Sequence, residues 1–383
     1  MIARERASRV VFVCPNLEAG GAERQWAALV PGLAECGLDV HVVTLDGHGP
    51  YYEELADRGI PIACAGLRNR ADPAGLARAA RLAGPGASVV VTRGVSAHLV
   101  GRVLARRRRA AHVVTEHLGP DPLGMRAYRR HQELLLGPMR PRATAVVAVS
   151  ASQIAHLVRD GYRREAIRVI PSGVAADPPV SDRAALRARL GVPSGAFVAV
   201  LAAALRPEKR GHAFVEQVAA AHAAEPSVRG IVVGDGPDAG AVGRAADRSG
   251  GVVRMLGYRA DVVDVMHAAD VVCLTSAVEA LPMSLLEAMS VARPVIATRV
   301  GGVAEVVRDG VTGIITSADE PSEVAAALVR LARDPGRAAA MGRAGRERQR
   351  ERYSTEAMIR GYADLLAGLA ARPRSAALAP GGR

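Results

Sequence analysis

Short apolar runs, each the length of a buried strand, alternate with helix-period segments along almost the whole chain. This alternation constrains the fold more than any other feature. A strand that is apolar at every position, instead of every second one, needs cover on both faces, as in a parallel sheet flanked by helices. RVVFVCP (9–15), DVHVVTL (39–45), IPIACAG (60–66), ASVVVTRG (87–94), AHVVTEH (111–117), TAVVAVS (144–150) and IRVIPSG (167–173) read as such strands. Helices are expected between them at 22–36, 51–58, 73–83, 96–109, 125–137 and 151–160, with Gly37 stopping the first. The pattern pauses over 174–195, where two adjacent prolines make 175–179 read as a linker. A second β/α series opens with AFVAVLAAAL (196–205) and runs to 316, and helices near 320–333, 335–351 and 354–369 follow. The expected class is α/β: two Rossmann-like, doubly wound parallel-sheet domains, 1–174 and 175–352, then a helix within 353–371 and a disordered tail, 372–383. Such domains bind ligands outside the carboxyl ends of their strands, here in a cleft between the two.

Composition narrows the functional classes. A hydrophobic content of 49% excludes a disordered chain, and no apolar run is long enough to span a bilayer. The charged first ten residues lead into a strand, so no signal peptide is expected and the location reads as cytoplasmic. Cys14, Cys36, Cys64 and Cys273 lack metal-type spacing, and the three in apolar runs read as buried thiols. The net charge of +12 invites a nucleic-acid partner, yet aromatic content is 3% and no recognition module appears. Of 50 basic residues only Lys209 is a lysine, so most arginines reflect a compositional bias and a solvated surface. The run Arg106–Arg109, with Arg102, closes a helix whose apolar side holds Leu99, Val100, Val103 and Leu104. With Arg126, Arg129 and Arg130 it offers weak peripheral contact with an anionic membrane, although cations at a helix end need no membrane. Trp26, the sole tryptophan, reads as packing.

The densest stretch is 270–316. There an apolar strand runs into Glu279, a turn through Pro282 and a new helix carrying Glu287, eight residues after Glu279. The strand PVIAT then ends at Gly301 and Gly302. Two strand ends thus open onto helix N-termini, whose free N–H groups suit a phosphate-bearing ligand. Ser284 and Glu287 also match a capping box, which needs no ligand. Glu279 has no helix to cap and needs a partner among its apolar neighbours. Lys209, in ALRPEKRG after a strand, is a compact point charge suited to a diphosphate, or else a chance survivor on a loop. His117 at a strand end reads most simply as a structural histidine. The turn from Gly234 to Ala239 resembles a dinucleotide fingerprint, but no acidic residue follows the next strand, which disfavours a nicotinamide enzyme.

These stretches resemble the donor-site core of the retaining family 4 glycosyltransferases, with their E-x7-E motif and two-domain GT-B fold. The likeness includes GGAER (20–24), IPSGV (170–174), LRPEK (205–209), GDGP (234–237) and LGYRAD (256–261), in family order over about 12–355. The resemblance implies an acceptor domain at 1–174, a donor domain at 175–352 and a last helix packing back on the first domain. It implies that Glu287 binds the ribose of a nucleotide sugar and that Glu279 and His117 lie beside the transferred sugar. Lys209 and an arginine would neutralise the diphosphate, with Leu281, Pro282, Met283 and Ser284 facing the phosphates. Gly20, Gly21, Gly234, Gly236, Gly301 and Gly302 belong to the same motifs. The family's usual arginine position is Ala204, and Arg206, two residues on, would share its face if the segment is extended. Ser172 and Ala175 also depart from the usual asparagine and aspartate.

The expectation is therefore a metal-independent transferase with no cofactor. It would use a nucleoside-diphosphate sugar, with UDP as the expected nucleotide, and a hydroxyl acceptor, either a lipid-linked glycan or a small natural product. No D-x-D pair occurs in the chain, so fixed cations and a helix N-terminus would stabilise the leaving group. Retention would proceed without a clear protein nucleophile. A nucleotide-sugar epimerase of this fold and a non-catalytic nucleotide-sugar-binding protein are the alternatives. The sequence carries no code for the acceptor, the donor sugar or the oligomeric state.

Overall fold

The computed structural model describes residues 9–18, 20–69, 72–117, 137–177 and 181–371. Nearly all of the helix expected at 125–137, the arginines at 126, 129 and 130, and the tail 372–383 lie outside the described residues. The described chain forms two compact units. One holds residues up to His117, those from 137 to Ser172 and those from Thr355; the other is Gly173–Ser354.

The first unit is built on β1 (Arg9–Cys14), β2 (Asp39–Thr44), β3 (Ile62–Cys64), β4 (Ala87–Arg93), β5 (Ala111–Glu116), β6 (Ala145–Ala148) and β7 (Ile167–Val169). They form one sheet in the order β3-β2-β1-β4-β5-β6-β7, and every pairing is parallel. On one face, Trp26, Leu29 and Leu33 of helix Gly21–Glu35 share a core with Phe12 and with Met358, Tyr362 and Leu366 of helix Thr355–Ala370. Trp26 meets Phe12 edge-on, with ring centroids 4.9 Å apart. Each such buried side chain contributes about 1.5–3 kcal/mol. On the other face, Val100 and Leu104 of helix Val95–Arg108 pack on Val11 and Val90. Val103, expected on that apolar side, is exposed. The stretch expected as a helix at 151–160 is a 3-10 turn, Ala151–Gln153, followed by helix Ile154–Arg159, and Ser150 and Gln153 form a capping box at its start.

The second unit carries β8 (Phe197–Ala202), β9 (Val228–Val233), β10 (Val253–Met255), β11 (Val271–Leu274), β12 (Val295–Thr298) and β13 (Gly313–Thr316). Their order is β10-β9-β8-β11-β12-β13, again all parallel. Every residue of β8 and β11 is buried, which accounts for their unbroken apolar sequence. Strand order reverses between β8 and β11, so the loops leaving their carboxyl ends open a crevice at the sheet edge. Among the cysteines, Cys14 and Cys273 are buried, and burial pushes the Cys14 thiol up to about 12. Cys64 is only half-buried, because β3 is the edge strand of its sheet.

Candidate functional site

In the second unit, the loops after β8 and β11 are stitched together by backbone. Ala277 N donates to Glu208 O at 2.7 Å, and Thr275 Oγ1 donates to the carbonyls of Lys209 and Arg210, each at 3.1 Å. Thr298 Oγ1, at the end of β12, donates to Ser276 O at 2.6 Å. On this frame Lys209 Nζ donates to Glu279 Oε1 at 2.6 Å, and Ser276 Oγ donates to the same oxygen at 2.7 Å. Glu279 is 8% exposed, so its ammonium and hydroxyl donors offset the cost of burying a carboxylate.

The turn after β12 buttresses this loop. Gly302 N donates to Ala280 O at 3.0 Å, and a Cβ on Gly301 would sit 1.7 Å from Glu279 O. Gly301 also has φ +47°, a left-handed conformation that glycine adopts without strain. On the far side, the 234–238 turn is bonded to the segment after β8. Leu205 N donates to Asp235 O and Asp238 N to Leu205 O, both at 2.8 Å. A Cβ on Gly234 would lie 1.8 Å from Ala203 O, so Gly234 and Gly236 serve close backbone contact.

Helix Met283–Ser290 begins directly after Pro282, its N-cap, which makes no side-chain cap bond. Ser284 therefore lies inside the first turn, and the capping box expected with Glu287 does not form. Leu285 N donates to Pro282 O at 3.2 Å, while the N–H groups of Met283 and Ser284 precede the first intrahelical bond; Leu281 and Glu287 are both buried.

Two other placements differ from expectation. β8 ends at Ala202, and Arg206 N donates back to Ala204 O at 2.8 Å, so the chain turns at Leu205 instead of running extended. The shared-face argument for Arg206 fails with it; Arg206 is exposed, and its guanidinium has no hydrogen bond or ion pair among the described residues. Arg210 was not singled out from sequence. It adopts φ +49°, and its guanidinium donates to Ala318 O at 2.8 Å.

Gly20, Gly21 and His117 fall in the first unit, at the carboxyl ends of β1 and β5. Gly20 is the N-cap of helix Gly21–Glu35. His117 Nε2 is buried without a partner among the described residues, and burial, then the Arg93 charge, pulls the imidazole down to about 3. Arg93, at the end of β4, bonds Glu23 of the GGAER segment at 2.5 Å and Asn16 O at 3.1 Å, and lies over Trp26. Arg93 was also missed; the available signal was a charge closing an apolar strand at the same edge as Gly20 and His117. Deeper in the sheet, Thr92 Oγ1 lies 2.8 Å from His98 Nδ1 and 3.0 Å from His112 Nε2. Burial drives both of these histidines down to about 3.

Two family models match the chain in tandem. Glycosyltransferase Family 4 covers residues 19–177, and Glycosyl transferases group 1 covers 196–334. The chain thus carries a glycosyltransferase family 4 domain followed by a glycosyl transferases group 1 domain. It is similar to D-inositol 3-phosphate glycosyltransferase of Saccharomonospora viridis, 32% identical over 222 residues, or 53% of this chain and 51% of that protein. It is also similar to the protein of that name from Streptomyces bingchenggensis, 30% identical over 242 residues, or 59% of this chain and 53% of that one. The chain spans about half the length of these curated relatives. Among solved structures, Anabaena HepE in complex with UDP matches with TM-score 0.83 at 24% identity, covering 94% of this chain and 100% of that one. Sucrose-phosphate synthase from Thermosynechococcus elongatus matches with TM-score 0.75 at 20% identity, covering 94% and 99%. The two parallel α/β sheets are thus those of the GT-B fold. Among the described residues, no helix is long and apolar enough to cross a membrane.

Proposed function

We propose that this chain is a cytoplasmic, retaining glycosyltransferase. It would move a sugar from a nucleoside-diphosphate sugar, with UDP as the nucleotide, to a hydroxyl acceptor, without a metal ion. The observation that carries this reading is the 2.6 Å contact of Lys209 with Glu279, three residues ahead of the open end of helix Met283–Ser290. Departure of a nucleoside diphosphate builds charge on its bridging oxygen. The Lys209 ammonium, the Arg206 guanidinium and the N–H groups of Leu281, Met283 and Ser284 are fixed or nearby donors suited to that charge. Such preorganised donors are worth about 100- to 1000-fold in rate each. Both donors to Glu279 fall on Oε1, which leaves Oε2 to accept from a hydroxyl of the transferred sugar. Glu287 would hold the ribose, and neutral His117 would orient the sugar by a hydrogen bond, leaving the leaving-group phosphate to take the acceptor proton. The UDP and UDP-glucose complexes of the Anabaena protein support the choice of nucleotide. The acceptor would be a lipid-linked glycan or a small natural product.

The test is a panel of UDP-, GDP- and ADP-sugars incubated with polyol and glycan acceptors, with products followed by NMR. Transfer from UDP-sugars, an α-linked product from an α-linked donor and unchanged rates in EDTA are expected. Sugar isomerisation with no acceptor present would replace this reading with an epimerase.

A further inference from the structure

At the amino ends of the second unit's strands, the edge opposite Lys209 and Glu279, lies a cavity of about 470 Å³. The six residues of β8 separate the two edges by about 20 Å. Three arginines line the cavity. Arg183 comes from helix Arg183–Arg189, Arg293 from the turn before β12 and Arg343 from helix Pro335–Arg352. The lining also includes the apolar Phe197 and Ala338. Among the described residues, Asp270 is the one carboxylate lining it. Arg183 bonds Asp270 at 2.6 Å and Arg187 bonds it at 3.0 Å, so that single negative charge is already shared. Three lining guanidiniums against one carboxylate leave a surplus of two positive charges. Among the described residues, Arg293 bonds only backbone carbonyls, Val291 O at 3.2 Å and Ala269 O at 3.3 Å. Burial and the neighbouring Arg183 charge pull it down to about 10, with Asp270 opposing, so it remains charged at neutral pH and its charge is poorly compensated. The exposed Arg343 has no ion pair among the described residues.

We propose that this cavity is a second binding site, for a soluble phosphate monoester. A phosphate dianion matches the surplus of two charges, and guanidinium forks bind phosphate oxygens in pairs. The volume is that of a small-molecule site, and Phe197 and Ala338 would receive the ester's carbon body. The site is separate from the donor loops and does not depend on the function proposed for them.

Calorimetric titration of the full chain with inorganic phosphate, beside sodium chloride at equal ionic strength, tests the assignment. Saturable phosphate binding is expected, weakened at least fivefold by Arg343→Ala, whose exposed side chain leaves the fold intact, and by Arg293→Lys. Phosphate binding should persist in saturating UDP, which occupies the donor loops, and Arg343→Ala should leave UDP binding unchanged. Phosphate heats equal to chloride, or phosphate binding abolished by UDP and kept with Arg343→Ala, would overturn the proposal.

Discussion

Lys209 and Glu279, 70 residues apart, meet as an ammonium and a carboxylate 2.6 Å from each other at the switch point of the second sheet. The chain's sole lysine is thus charge-paired before any donor arrives, and a diphosphate must compete with Glu279 for it. Replacing Glu279 by glutamine keeps the shape and removes the competitor. For Glu279→Gln we expect UDP affinity equal to or a few-fold tighter than wild type, while transfer falls at least 100-fold. Calorimetry with UDP beside initial rates reads both, and weaker UDP binding at a normal rate would rule out this division of roles.

Lys209→Ala should act in the opposite sense. A charge-assisted hydrogen bond is worth about 1.5–3 kcal/mol, so UDP affinity should fall by about 10- to 100-fold. In the double variant with Glu279→Gln the two effects should not add, because each removes the other's partner. Additive losses in a double-mutant cycle would mean the pair is not coupled.

Gly301→Ala should be the most damaging small substitution in the loop. Its Cβ would meet a backbone carbonyl at 1.7 Å, at a φ of +47°, and no flexible side chain can give way. The expected cost is more than about 2 kcal/mol, with loss of transfer as the Glu279 loop shifts. Denaturant unfolding checks the first number, and a wild-type midpoint would sink the buttress argument.

Ala292 offers the converse. It follows helix Met283–Ser290 at φ +56°, the left-handed position that glycine usually occupies after a helix. Ala292→Gly should stabilise by about 0.5–1.5 kcal/mol. The melting temperature should rise by a few degrees; a fall would show that the alanine methyl contributes more than its backbone strain costs.

The buried histidines set an acid limit. His98, His112 and His117 have folded values near 3, against an ordinary 6.5. Between those values the unfolded chain binds more protons, so stability rises with pH there and is lost as pH falls from about 6.5 toward 3. Three such groups give a slope of at most about 4 kcal/mol per pH unit. Glu116, raised by burial, works against it, since its contribution is greatest on the acid side. Melting temperature should start to drop just below pH 6.5, and His112→Gln, which keeps a partner for Thr92, should cut the slope by about a third. A flat profile down to pH 5 would contradict the burial argument.

The two sheets were legible because a strand covered on both faces cannot hide its composition. β8, β11 and the rest stand out as unbroken apolar runs. The site was legible in part. Glu279 stood out as a carboxylate with nothing to cap, and Lys209 as a lone lysine. Their contact was not written in the sequence, because it depends on β8 and β11 being neighbours. The same holds for Arg93, whose partners Glu23 and Asn16 come from the loop and helix after another strand. Two local rules lost to tertiary bonds. Pro282 starts its helix before Ser284 can cap it, and Leu205 is held by Asp235 and Asp238, which turns Arg206 off the strand line.

Helix Thr355–Ala370 supplies Met358, Tyr362 and Leu366 to a core whose other members begin at Val10. Residues 173–354 form a unit from contiguous chain. During synthesis the later-encoded unit can therefore fold first, while the opening sheet waits with Trp26, Leu29 and Leu33 uncovered. A chain cut at residue 354 would carry one finished body and one sticky, half-closed one. Clipping helix Thr355–Ala370 would therefore do its harm at the beginning.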